Sequence, residues 1–199
     1  MLAKKVLAYG ITHLTDARYF AAWQVDYLCF PTGPNQGQDA LTLDYIKAIR
    51  EWVEGPTVAL EFLGGFAGAG EDYLTAGFNH LLVSHDDDLP ALRSAGYQLI
   101  AHVPVAGYQS GADLQELYEE LLPHVKDVVF DFTAGGMRLE DVPPGAPAGT
   151  NLFYDVELGG SDPKALITGG IALRGSGEEK VGYKGFDEVE GIFEGLEEY

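Results

Sequence analysis

Apolar residues fall in short unbroken runs along this chain, separated by longer stretches whose apolar positions recur every three or four residues. The runs at residues 5–9, 27–31, 57–62, 80–84, 98–103, 127–132, 151–157 and 165–168 predict strands. A strand covered on both faces has no reason to alternate with polar residues, so the pattern predicts a parallel sheet sheathed by helices. Helices are predicted over 17–24, behind a Thr15 or Asp16 cap, and over 42–54, where Leu43, Ile46, Ile49 and Val53 share one face. Further helices are predicted over 72–76, 89–95, 112–124 and 187–198. After the sixth and seventh strands they should be short or absent. Pro143-Pro144-Gly145-Ala146-Pro147 breaks a helix, and Gly159-Gly160-Ser161-Asp162-Pro163-Lys164 leaves room for one turn.

Strands and helices in this alternation predict an α/β fold, a single (β/α)₈ TIM-type barrel filling residues 1–199 as one domain. An open doubly wound sheet is the alternative. Its G-x-G-x-x-G fingerprint is missing after the first strand, where the chain reads Gly10-Ile11-Thr12-His13.

Composition narrows the function. The chain is 46% hydrophobic, enough for a full core, and no apolar stretch approaches the length of a membrane span. Met1-Leu2-Ala3-Lys4-Lys5 runs into the first strand without a secretion signal, so a soluble cytoplasmic protein is expected. The formal charge of −19 repels nucleic acid and anionic membranes. The expected partner is therefore a small metabolite, and the expected assembly a monomer or homodimer. Cys29 stands alone, so no internal disulfide and no cysteine-based zinc site can form, and its apolar setting reads as a small buried hydrophobe. None of the five histidines has metal-ligand spacing, and neither a metal nor a cofactor is called for. His85-Asp86-Asp87-Asp88 reads as an acidic loop leading into a helix.

In a barrel of this kind the chemistry lies where strands end at the C-terminal mouth. Tyr9-Gly10-Ile11-Thr12 should form one wall there, with Glu61, His102 and Asp155 as further pocket candidates. Gly159-Gly160 and Gly169-Gly170 are read as closing the last two strands. Their backbone N–H groups would hold a phosphate without a lysine, the reading a barrel favours; the alternative is that they only make tight turns. Asp131 ends Val128-Val129-Phe130-Asp131. Poorly solvated or near other carboxylates, its pKa would rise and it would serve as a general acid; otherwise it caps the next loop.

Gly10-Ile11-Thr12 with Asp16-Ala17 resembles the opening of the phosphoribosylanthranilate isomerases, barrels of tryptophan biosynthesis. Val129-Phe130-Asp131 with Gly135-Gly136 resembles their sixth strand. Glu157-Leu158-Gly159-Gly160 resembles their seventh strand and phosphate loop, and Gly182-Tyr183-Lys184-Gly185-Phe186-Asp187 the run before their last helix. A second register matches Thr168-Gly169-Gly170 to the seventh strand and Ser176-Gly177 to the eighth, with too few residues between them for a helix and a strand. The first register is therefore preferred, and it makes 172–181 an insertion. The resemblance implies an Amadori rearrangement of a phosphorylated aminosugar, with Asp131 as the acid. It places Tyr9 where the family has its cysteine base. A phenol with a pKa near ~10 is a weak base at neutral pH. The resemblance thus leaves two readings: an isomerase whose base is replaced by Glu61, His102 or Asp155, or an inactive paralogue that binds a phosphorylated ligand as a regulatory module.

Overall fold

A computed structural model describes residues 2–66, 73–105, 110–138, 141–155, 169–175 and 186–197. Eight parallel strands close into a barrel in chain order: β1 (Val6–Tyr9), β2 (Tyr27–Pro31), β3 (Thr57–Phe62), β4 (His80–Ser84), β5 (Gln98–Pro104), β6 (Asp127–Asp131), β7 (Leu152–Asp155) and β8 (Gly170–Arg174). Helices α1 (Leu14–Ala22), α2 (Leu43–Arg50), α3 (Leu89–Ser94), α4 (Gly111–Leu121) and α5 (Asp187–Leu196) pack outside it. None is long and apolar enough to cross a membrane.

The unbroken apolar runs have the cause inferred from the pattern. One set of side chains, including Ala8, Leu28, Phe30, Leu60, Val83 and Phe130, points outward into the layer under the helices. The alternate set, Leu7, Cys29, Ala59, Leu82, Val129 and Phe153 among them, fills the barrel interior. Cys29 is fully buried there, and burial pushes its thiol pKa well up, consistent with a packing role.

Local signals set the helix starts. Ser110 and Asp113 form a reciprocal capping box for α4, and Thr42 accepts from the Tyr45 amide at the start of α2. α1 starts earlier than expected. His13 stands at its N-cap in extended conformation with no side-chain cap bond, and Asp16 lies fully buried within the first turn instead of capping from outside. The helix expected over 72–76 is also absent where described: residues 73–77 form turns. Between β6 and β7 the described residues hold no α-helix; Thr133–Gly135 form a 3₁₀ turn, in keeping with the prolines that follow.

The largest correction concerns the last strand. It is Gly170–Arg174, paired with β1 through Val6↔Ile171, Leu7↔Ala172, Ala8↔Leu173 and Tyr9↔Arg174. Residues 165–168, expected to form it, lie outside the described residues, and 172–174 are strand, not insertion. The eighth-strand match of the second register, just before Ser176-Gly177, was therefore the better placed.

Candidate active site

Side chains alternate along each strand, so the positions that fill the barrel interior continue upward to one last inward layer at the C-terminal mouth. That layer consists of Tyr9, Pro31, Glu61, Ser84, His102, Asp131, Asp155 and Arg174, one from each strand. Apolar strands thus deliver a polar ring onto an apolar floor. Tyr9, Glu61, His102, Asp131 and Asp155 were all expected here. Arg174 was missed because the eighth strand was sought too early, ending at 168 where β8 ends at Arg174. The signal existed, since Ile171-Ala172-Leu173-Arg174-Gly175 is an apolar run ending in a charge, like the run that ends at Asp131.

Arg174 ties the ring together. Its Nη2 donates to Asp131 Oδ2 at 2.8 Å and its Nε to the Tyr9 hydroxyl at 2.6 Å, with Asp155 Oδ2 3.5 Å from Nε. The Tyr9 hydroxyl in turn donates to Asp155 Oδ2. Register explains the meeting, because Tyr9 pairs with Arg174 and Asp131 with Asp155 across neighbouring strands.

Asp131 unites both readings made of it. Its Oδ1 caps the following turn, accepting from Thr133 Oγ1 at 2.6 Å and from the Ala134 amide at 3.0 Å, while Oδ2 faces the mouth. Its pKa runs opposite to the expectation. Burial alone would raise it, but His102, the Thr133 hydroxyl and the Ala134 amide hold it well below the ordinary carboxylate range. Asp131 is therefore a fixed anion in this arrangement. His102 Nε2 lies 3.2 Å from Asp131 Oδ2 but is not directed along a hydrogen bond to it, and the ring tilts against Tyr9 at 5.9 Å.

The other acidic groups shift upward. Burial raises Asp155, and the Asp131 charge adds to it, against the lowering hydrogen bond from Tyr9. Burial, then Asp155, raises the Tyr9 phenol, so it is no base at neutral pH. Burial lifts Glu61 to about 7, against the lowering effects of the Gly10 amide, which donates to Glu61 Oε2 at 2.7 Å, and of the Arg174 charge. Gly10 has φ +65°, a conformation that disfavours any side chain and turns its N–H onto Glu61. The Gly10-Ile11-Thr12 segment thus holds a carboxylate poised near neutrality. Thr12 is half-buried in the same loop and makes no hydrogen bond to the ring.

Of the two glycine pairs read as phosphate sites, only one is described. Gly159 and Gly160 lie outside the described residues. Gly169 and Gly170 sit at the start of β8, the opposite end of the barrel from the ring. Their lack of a side chain is a packing requirement. A Cβ on Gly169 would lie 2.9 Å from the Leu152 carbonyl oxygen, and one on Gly170 2.7 Å from both the Lys5 carbonyl oxygen and the Phe153 ring. The acidic loop behaves as read: Asp88 caps α3, and Asp87 accepts from the Ser84 and Phe66 amides. Two open surface depressions, of about 370 and 390 Å³, lie elsewhere, one beside Gln98 and Lys126 at the start of β5 and β6, the other against α1. The titratable ring marks the candidate site.

No family model matches this sequence, and neither does any curated protein. Solved structures do. Phosphoribosylanthranilate isomerase from Thermus thermophilus superposes with a TM-score of 0.66 at 16% identity, covering 96% of this chain and 98% of that one. N-(5'-phosphoribosyl)anthranilate isomerase from Pyrococcus furiosus gives 0.63 at 16% identity, covering 97% and 98%. The chain has the fold of the phosphoribosylanthranilate isomerases. The resemblance read from Gly10-Ile11-Thr12 is thus repeated in three dimensions along nearly the whole chain. A 3-hexulose-6-phosphate synthase from Salmonella typhimurium matches more distantly, with a TM-score of 0.57 at 16% identity over 96% of this chain. Identities this low speak for the fold and leave the chemistry to the site.

Proposed function

We propose that this chain is an aldose–ketose isomerase of the phosphoribosylanthranilate isomerase type, acting on a phosphorylated aminosugar in tryptophan biosynthesis. The observation that carries the reading is the separation of pKa values within one ring: Asp131 held low, Asp155 raised and Glu61 near 7. Two carboxylates raised by burial, beside a third held ionised, provide a proton donor and a base poised near neutrality in one pocket. The names of the superposing structures supply the substrate class.

The division of labour differs from the one the resemblance implies. Asp155, in its protonated form, gives its proton to the ring oxygen as the C1–O bond breaks, and the nitrogen lone pair forms the C1=N bond of an iminium. Glu61 then removes the C2 proton. The C2–H electron pair forms the C1=C2 bond, and the C=N pair returns to the nitrogen, which has kept its own proton. Glu61 returns its proton to C1 and the enol O2–H gives its proton to ionised Asp155, completing the ketose and restoring both groups. Asp131 and Arg174 hold Tyr9 and Asp155 in place.

Complementation of a tryptophan auxotroph lacking the isomerase tests the reading. The wild-type chain should restore growth. Asp155→Asn and Glu61→Gln should not, given the ~10²–10⁴-fold weight of a positioned acid or base. A folded, soluble wild-type protein that fails to rescue, and fails to turn over phosphoribosylanthranilate in vitro, overturns it.

A further inference from the structure

We infer that Arg174 is the ligand's anion receptor at the barrel mouth, taking a carboxylate or phosphoryl group on the outer edge of its guanidinium. The inference shares with the proposed function only the premise that the mouth is the ligand site. It does not depend on the reaction.

Charge comes first. The mouth ring holds Glu61, Asp131 and Asp155, and among the described residues of that ring Arg174 is the one guanidinium or ammonium group. The whole chain carries −19. An anionic ligand approaching this mouth meets repulsion unless a local cation receives it.

Burial is asymmetric within the cluster. The Arg174 side chain is 54% exposed, whereas the side chains of Asp131 and Asp155 are 2% and 9% exposed. The carboxylates look inward and the guanidinium spans them at the surface of the mouth.

The donors are split between the two edges. Nε and Nη2 form the side edge of the guanidinium, and both point inward, to Tyr9 and Asp131. Nη1 makes no hydrogen bond among the described residues, so the end edge, Nη1 with the second Nη2 proton, is left for an external oxyanion. Two parallel N–H groups in one plane suit a carboxylate or phosphoryl oxygen pair. The Tyr9 ring lies under the guanidinium carbon at 4.9 Å, so three elements fix the fork before the ligand arrives. Such a group loses little freedom on binding.

The test is titration of the full-length protein with inorganic phosphate and, separately, with benzoate, followed by NMR shifts of the Arg174 side chain and by calorimetry. Wild type should bind at least one probe. Benzoate alone would assign a carboxylate, phosphate alone a phosphoryl group. Arg174→Gln should weaken that binding by about tenfold or more, and Arg174→Lys, which keeps charge but loses the fork, by about threefold. If Arg174→Gln does not fold, as judged by circular dichroism, Arg174→Lys decides. Binding unchanged within about twofold in the folded variant overturns the inference, as does a wild type that binds neither probe. The isomerase reading fails separately. Probe binding lost in the variants of a wild type that isomerises nothing leaves Arg174 as receptor. A wild type that isomerises with KM unchanged in Arg174→Lys leaves the reaction and removes the receptor.

Discussion

Glu61 contributes in opposite directions to stability and to function. Its folded pKa of about 7 lies above the ordinary value of 4.5 because burial penalises its charge. Between those values the folded chain holds a proton that the unfolded chain has released, so stability falls as pH rises through that window. The loss is about 3 kcal/mol once both states are ionised. The same shift places the ionised base within reach of neutral pH. Two outcomes follow for Glu61→Gln. Melting curves near about pH 8 should show the variant more stable than wild type, and the difference should vanish near about pH 4. Wild-type kcat/KM should rise with pH through about 7, because only the ionised carboxylate accepts the C2 proton, and the variant should lose that limb with most of its activity. A variant that keeps the limb assigns it to another group.

Strand ends were legible in the sequence wherever a polar residue interrupts an apolar run, as at Glu61, His102 and Asp131; Asp155 was a pocket candidate inside a strand expected to run to 157, and β7 is described as far as Asp155. β8 was not legible, for a physical reason. The stretches 165–168 and 171–174 are both short and apolar, and glycines separate them. Only pairing with β1, the non-local contact that closes the barrel, selects Ile171-Ala172-Leu173. The misplaced strand carried both errors about the site, since it put Gly169-Gly170 at the wrong end and hid Arg174. The direction of the Asp131 shift was also out of reach, because it depends on His102 from another strand. If Gly170 serves packing, Gly170→Ala forces a Cβ to within 2.7 Å of the Lys5 carbonyl oxygen and the Phe153 ring. Overpacking of this kind costs about 1–3 kcal/mol. Chemical denaturation should show that loss while any folded fraction binds phosphate as wild type does. Weakened phosphate binding at full stability would return Gly170 to the ligand site.

For the whole molecule the governing quantity is charge. A formal −19 on 199 residues gathers like charges when the chain folds, and the unfolded chain spreads them apart. Self-repulsion therefore works against the folded state, and salt relieves it. From about 0.01 M to about 0.5 M salt the screening length contracts from roughly 30 Å to a few ångströms, shorter than the molecule is wide. The ion pairs that cross the barrel mouth resist this change, because Asp131 and Asp155 are buried and water and ions reach them poorly. Exposed pairs such as Lys47 with Asp44 contribute little at any salt. Net repulsion is thus the contribution that salt removes most readily, and Tm should rise by about 5 °C over that range of sodium chloride. The Arg174→Gln variant is the control that places the effect. Its net charge is one unit more negative, so it should gain at least as much from salt as wild type. A Tm that falls with salt would mean that exposed ion pairs, not net repulsion, dominate the surface.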